Sequence, residues 1–347
     1  MLKSNISIKC IPDIMTMYKL MMNHDTTQIV NKLDMALYTN DQTILQEYTA
    51  DVVEARKQTL MKYKTKLHAL QQIPLVKQRT AEWFELRRQR LTASDLYDAI
   101  KNNNLALAKK KAGIVQNNVN YGTIPALKWG TMFEPMATRC YSQMYYDISV
   151  SEFGLIPDVN LEHFGASPDG INELGIMLEI KCPYTREIED GQILDKYYMQ
   201  IQGQLAVCGL EECDFIECKF KEYDSVYKYI ELFDDIHTGH GIIAEYKNKT
   251  TDEYVYLYSE PYLIASHAFN NINKQVYDMD MDANMQFIKL RAWSLEKINI
   301  QRINFDANQW QQTVPKIIAF WEKVEECKKL PIESPPAKRK LMFIDDD

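Results

Sequence analysis

Between Gln42 and Gln72 no glycine or proline interrupts the chain, and Ile44, Leu45, Tyr48, Val52, Ala55, Leu60, Tyr63 and Leu67 return at near-helical spacing. This predicts a mainly helical region over residues 1–74, closed by Pro74. Composition shifts at Val76-Lys77-Gln78-Arg79, where a second region begins. In it, Thr92-Ala93-Ser94-Asp95 reads as a helix start with Ser94 as N-cap. The Asn-, Lys- and Gly-rich stretch from Asn102 to Gly122 reads as a loop, and Ala126 to Tyr146 as a helix. Strand-like pieces follow at Ser151–Ile156, Phe164–Ser167 and Ile176–Cys182, then a helix over Asp195–Cys208. Asp214–Phe220 and Val226–Phe233 alternate like strands. Helix, three strands, helix, two strands predicts an α/β core, a mixed sheet flanked by helices. Phe287–Ile303 has no clear type, and Gln309–Lys329 is a last helix. The pattern divides the chain into a helical region 1–74, a core 75–235, an extension 236–330 packed on the core, and a disordered tail 331–347.

Composition narrows this picture only in places. The 347 residues are 46% hydrophobic and 25% charged, ordinary for one large or two modest globular domains. No apolar run approaches the roughly 20 residues of a membrane span, and the N-terminus lacks a signal-peptide core. Seven scattered cysteines, an odd number, point to a reducing, intracellular compartment. The net charge of −8 does not exclude a polyanionic partner, because basic residues cluster at Lys77, Arg79, Arg87, Arg88 and Arg90 and at Lys109-Lys110-Lys111.

The candidate chemistry lies in Ser167-Pro168-Asp169-Gly170 followed by Leu178-Glu179-Ile180-Lys181-Cys182-Pro183. On a strand, Glu179 and Lys181 share a face while Ile180 turns to the core. The Asp169-Gly170 turn brings a second carboxylate alongside. Two such carboxylates share a proton or hold a cation. Oxygen donors suit Mg²⁺, which activates water and stabilises charge on a phosphoryl oxygen, with Lys181 orienting that water or helping to deprotonate it. Glu-x-Lys by itself carries little, since it recurs at Glu217, Glu245 and Glu326, where it reads as a surface ion pair. Further pieces stand on both sides. Glu134 lies in the first turns of its helix, and Gln200 and Gln204 share a face of the 195–208 helix.

Taken in order, Trp83-Phe84-Glu85-Leu86-Arg87, Leu91-Thr92-Ala93-Ser94, Gly130-x-x-x-Glu134-Pro135, Ser167-Pro168-Asp169-Gly170, Glu179-Ile180-Lys181-Cys182-Pro183 and Tyr197-x-x-Gln200 resemble the phage lambda exonuclease family. That family includes the YqaJ-like viral recombinase nucleases and relatives in large DNA viruses, within the PD-(D/E)XK superfamily. The resemblance covers about residues 78–220. Phe320-Trp321-Glu322-Lys323 is similar to the ends of large-virus members. It implies a restriction-endonuclease-like core with helical additions at both ends. It implies Asp169, Glu179 and the Ile180 carbonyl as metal ligands, Lys181 serving the water, Glu134 near the metal and Gln200 in the active site. Arg87, Ser94 and Ser167 fall where the family places its pocket for a 5′-terminal phosphate. The implied activity is Mg²⁺-dependent hydrolysis of DNA, with Mn²⁺ able to substitute, running 5′ to 3′ from phosphorylated duplex ends in viral recombination, repair or replication. An endonuclease of the same superfamily and a DNA-end-binding scaffold with weak catalysis are the alternatives.

The implied partners are linear duplex ends and a single-strand annealing or replication protein, with no membrane. Family members include monomers and ring-shaped trimers, so the oligomeric state stays open, as do polarity and the role of residues 1–74. Cys208, Cys213 and Cys218 match no common metal spacing, and His163, His237 and His240 suggest zinc only weakly. Ala337-Lys338-Arg339-Lys340 resembles a nuclear-import signal and equally a solvated basic tail, so the expected site is the host cytoplasm, with the nucleus as the alternative.

Overall fold

A computed structural model describes residues 32–74, 76, 78, 80–115, 124–233 and 239–332. Lys77, Arg79, His237, the basic tail and the first 31 residues therefore lie outside the described residues.

The N-terminal region is helical in three pieces: α1 (Lys32–Thr39), α2 (Gln42–Leu45) and α3 (Ala50–Gln71). The helix expected over Gln42–Gln72 is interrupted because Thr49 caps a new one, its side chain accepting from the Val52 N–H. Next come α4 (Ala81–Arg88), β1 (Leu91–Thr92) and a 3₁₀ turn over Ala93–Asp95, then α5 (Leu96–Ala99), α6 (Leu105–Lys111) and α7 (Pro125–Met144). Two expectations are corrected here. Ser94 does not cap: it sits inside the 3₁₀ turn and its hydroxyl faces Arg87. The presumed loop from Asn102 contains α6, whose Lys111 is buried with its ammonium 2.8 Å from Asp95. A lysine run reads as loop in sequence because polarity hides the one residue that turns inward.

The strands follow as β2 (Val150–Ser151), β3 (Ile156–Pro157), β4 (Phe164–Ala166), β5 (Gly170–Asn172) and β6 (Met177–Lys181). The helix α8 (Asp195–Cys208) leads to β7 (Glu212–Tyr223), α9 (Val226–Leu232), β8 (His240–Asn248), β9 (Tyr254–Tyr258), α10 (Ala265–Asp280), β10 (Met285–Asn304) and α11 (Ala307–Cys327). The strand expected over Val226–Phe233 is the helix α9. Ser225 caps it and Tyr229 is its buried face, a case of a short apolar run that period alone cannot assign.

The main sheet runs β2-β5-β6-β7-β10-β8-β9, with β6 and β7 parallel and the other pairs antiparallel. The sheet is thus mixed and flanked by helices, as expected. Residues 240–304 continue it, and β10, the segment of unclear type, lies between β7 and β8. Alternation along β6 sets the two faces. Leu178 and Ile180 pack with Ile216, Phe220 and Trp293 under Phe133, Met136, Cys140 and Tyr141 of α7. Met177, on the opposite face, joins Phe215 and the α8 residues Ile201, Leu205 and Cys208. Since i and i+2 share a face, Glu179 and Lys181 belong to the α8 side. The β5–β6 hairpin turns at Gly175 (φ +81°), where an added Cβ would lie 2.5 Å from the Tyr63 backbone, so α3 clamps the hairpin that carries the acids. Among the described residues no helix is long and apolar enough to cross a membrane.

Candidate active site

The α8 helix lies over the end of β6 and presents two amides one turn apart. Gln200 Nε2 donates to Glu179 Oε1 and Gln204 Nε2 to Glu179 Oε2, both at 2.7 Å. Lys181 Nζ donates to Glu179 Oε1 from the same strand face. Glu179 is completely buried, so without these donors its charge would be prohibitive there. Gln204 also reaches the Ser167 carbonyl at 3.3 Å, tying α8 to the turn before Asp169.

Asp169 leaves that turn beside the point where β5 stops pairing with β6. There the Ile180 N–H donates to Asp169 Oδ2 at 2.7 Å. In a strand a residue's N–H and C=O face the same edge, which sets the Ile180 carbonyl along the Asp169 side. Burial pushes the Asp169 carboxyl well above its ordinary range, and the charges of Glu179 and Glu134 push further, with only Lys181 and the Ile180 N–H opposing. Burial works against the Lys181 ammonium, but Glu179 and Asp169 outweigh it and hold the group protonated above the usual lysine range.

Glu134 comes from α7, followed by Pro135 within the helix. It lines, with Asp169, both a small cavity of about 190 Å³ and a groove of about 1050 Å³ on the other side. The small cavity is walled by Arg87, Ser94, Ser167, Gln200 and Gln204 as well. The groove is walled partly by Leu70, Gln71 and Ile73 at the end of α3. Glu85 pairs with Arg88, and the Arg87 guanidinium lies 4.4 Å over the Trp83 ring, Nη2 donating to Ser94 Oγ at 2.9 Å. Ser94 is braced by Thr92, which also bonds Asp95, the partner of Lys111. Trp83 Nε1 donates to Ser167 Oγ at 3.3 Å. The sequence motifs separated by up to about a hundred residues thus close on one cavity.

The donor set fits a hard dication. A carboxylate offers about four acceptor positions, and Lys181, Gln200 and Gln204 use three of those on Glu179. Asp169 lies beside the charges of Glu179 and Glu134, and its elevated carboxyl is one that a cation would bring down. Among the described residues no group of three or more His, Cys, Asp or Glu side chains is placed to hold a metal ion by itself. Mg²⁺ takes one or two carboxylates and leaves the rest of its shell to water and phosphate. The sequence had paired Gln204 with Gln200 on one helix face, whereas Thr92, Trp83 and Gln78 were given no part in the site, since nothing local links them to Asp169.

Residues 82–211, which include all these site residues except Gln78, match the model of the YqaJ-like viral recombinase domain. A similar protein, uncharacterized, occurs in Acanthamoeba polyphaga mimivirus. It is 25% identical over 86% of this chain, which spans about 61% of that relative's length. Among solved structures the chain is similar to the alkaline exonuclease of Laribacter hongkongensis, at 23% identity, TM-score 0.43, over 71% of this chain and 93% of that one. A phage-related exonuclease of Haemophilus somnus 129PT matches at 10% identity, TM-score 0.38, over 68% and 94%. Among the described residues the cysteines and histidines singled out in the sequence lie apart from these acids. Cys208, Cys213 and Cys218 are buried and free, His163 stacks on Trp321, and His240 bonds the Tyr229 hydroxyl.

Proposed function

We propose that this chain is a metal-dependent DNA nuclease that degrades linear duplex from 5′ ends bearing a phosphate. The observation that carries the reading is the shared cavity. A guanidinium and two serine hydroxyls open into the same small space as Asp169 and Glu134. At about 190 Å³ it is smaller than the roughly 300–1,000 Å³ that takes a drug-sized ligand, which favours an end group over a continuous strand.

Arg87 binds the terminal phosphate through its planar fork, with Ser94 and Ser167 donating beside it. Trp83 and the Thr92–Ser94 pair fix the guanidinium, so little rotamer freedom is lost on binding. Asp169, Glu179 and the Ile180 carbonyl, with Glu134 facing them, would hold Mg²⁺ or Mn²⁺. When bound, the ion supplies a water of lowered pKa and neutralises charge on the phosphoryl oxygens. Lys181, held protonated by Glu179 and Asp169 in the metal-free site, orients the attacking water or helps to deprotonate it once a cation shares those acids. Gln200 and Gln204 hold Glu179 in place. The α3 helix supports both the groove and the hairpin, which gives the N-terminal region a part in the site.

The test is incubation with end-labelled linear and covalently closed circular DNA, with Mg²⁺ or with EDTA. Linear DNA is degraded in Mg²⁺ or Mn²⁺, circles resist, EDTA stops the reaction, and Ca²⁺ permits binding with little hydrolysis. Full activity in EDTA would sink the metal-dependent reading.

A further inference from the structure

A second cavity, about 370 Å³, opens on the other side of the turn between α4 and β1. Arg88 at the end of α4, Arg90 of that turn, Lys111 at the end of α6, and Lys328 after α11 line it, and Glu162 is the acid on its described wall. Arg88 and Lys328 are held by surface partners, Glu85 and Glu325, in pairs that solvent and salt exchange readily. Arg90 differs. Its stem packs near Gly165, its Nε is buried without a hydrogen-bond partner, and no carboxylate pairs with it among the described residues. A buried N–H without a partner is costly, and an anion that accepts from it removes that cost. Beside it the His163 ring stacks on Trp321 at 4.5 Å and 17°, giving a flat aromatic wall that stays half-exposed at His163. Basic groups next to an aromatic face are the pairing that grips single-stranded nucleic acid, phosphate and base together.

Position identifies the strand. Arg87 and Arg88 are neighbours in α4 yet line different cavities, and Lys111 Nζ bonds the Arg87 carbonyl at 3.0 Å through the wall between them. A strand whose 5′-phosphate docks at Arg87 ends there, so the nucleic acid that continues is the complementary strand. We propose that the Arg90 pocket binds a backbone phosphate of that 3′-extending single strand, with a base against His163. The inference rests on reading the Arg87 cavity as the 5′-end site.

Fluorescence anisotropy in EDTA tests it with 5′-phosphorylated duplexes, blunt or carrying a 3′ extension of about ten nucleotides. Wild type binds the extended end about tenfold tighter than the blunt one. Arg90→Gln erases that gain, keeps blunt-end affinity within about threefold, and lowers the salt slope for the extended end by about 1. Should Arg90→Gln fail to fold, the double variant Arg88→Gln, Lys328→Gln reports on the same wall and reduces the gain. No gain in wild type, or an undiminished gain in folded Arg90→Gln, overturns the proposal. Inorganic phosphate or a Glu-rich peptide occupying the pocket without any extension effect would assign it to a free anion or an acidic protein segment, and overturns it too. Cleavage of blunt duplex in Mg²⁺ is scored separately. Lost cleavage with the gain intact refutes the nuclease reading and spares the pocket, and cleavage without the gain does the reverse.

Discussion

Two regions of this molecule gather three acids each beside the central sheet, and they treat them in opposite ways. Beneath the N-terminal helices, Asp34, Glu212 and Asp214 meet Arg56 and Arg302. Arg56 reaches Asp34 at 2.5 Å and Glu212 at 2.5 Å, and Arg302 reaches Asp214 at 2.6 Å. Tyr63 and Tyr141 donate into the same cluster. Burial would raise the Glu212 carboxyl, yet the hydrogen bonds and charges of the two guanidinia win and bring it down to about 2. At the candidate site one lysine and two neutral amides hold Glu179, and Asp169, beside Glu179 and Glu134, is pushed up instead. The first cluster is complete within the protein and joins α1 and α3 to β7 and β10. The second keeps a raised carboxyl and opens to two cavities. Identical residue types thus separate into a structural centre, where two guanidinia outweigh burial, and a candidate reactive one, where burial and neighbouring acids raise Asp169.

The largest way to break this comparison is at the reactive acids. Asp169→Ala, Glu179→Ala and Lys181→Ala each lower DNA cleavage on the order of a thousandfold or more, since a metal-centred site contributes several kcal/mol to transition-state stabilisation. Lys181→Ala leaves DNA affinity within a few-fold, whereas the two acid variants lose metal binding, as calorimetry with Mn²⁺ reads. Wild-type rates in all three would return the hairpin to a structural role. Next, Arg302→Ala leaves buried acids uncompensated and destabilises the fold by about 3–5 kcal/mol, measured by urea unfolding.

Smaller and opposite in sign is Asp169→Asn, which removes an elevated, under-compensated carboxylate. It stabilises the metal-free protein at neutral pH on the order of 1 kcal/mol, and Mg²⁺, which stabilises wild type, no longer does so. A loss of stability in metal-free Asp169→Asn would contradict the raised Asp169 carboxyl. The two acids also titrate in opposite senses. Glu212, depressed on folding, contributes stability above its unfolded value of 4.5 and loses it as pH falls towards about 2. Asp169, raised on folding, costs stability when ionised, and that cost is relieved as pH falls through its elevated folded value towards 3.8. Acid titrations of wild type and Asp169→Asn therefore differ in the window above pH 3.8.

Much of the site was legible because its motifs are local. Pro-Asp-Gly is a turn, Glu-Ile-Lys is one strand with alternating faces, and Gln200 and Gln204 are one helical turn apart. The convergence of Arg87 and Ser94 with Ser167 and Asp169 came from the family resemblance, since no local period links residues that far apart. The two-guanidinium cluster was not legible at all. Asp34, Arg56, Glu212 and Arg302 are spread over most of the chain, and each reads alone as a solvated charge. The α9 helix and β10 strand were lost to a related cause. Short apolar runs and long mixed ones take their type from the sheet they join, and β10 owes its 20 residues to having β7 on one edge and β8 on the other.

The most direct measurement compares degradation of one linear duplex bearing 5′-phosphate or 5′-hydroxyl, by wild type and Arg87→Ala in Mg²⁺. Charge-assisted hydrogen bonds to a terminal phosphate contribute roughly 1.5–3 kcal/mol each, so wild type degrades the phosphorylated end at least about tenfold faster. Arg87→Ala erases most of that preference and slows the hydroxyl substrate much less. Equal wild-type rates on both ends, with closed circles cut as fast as linear DNA, would contradict the end-directed account.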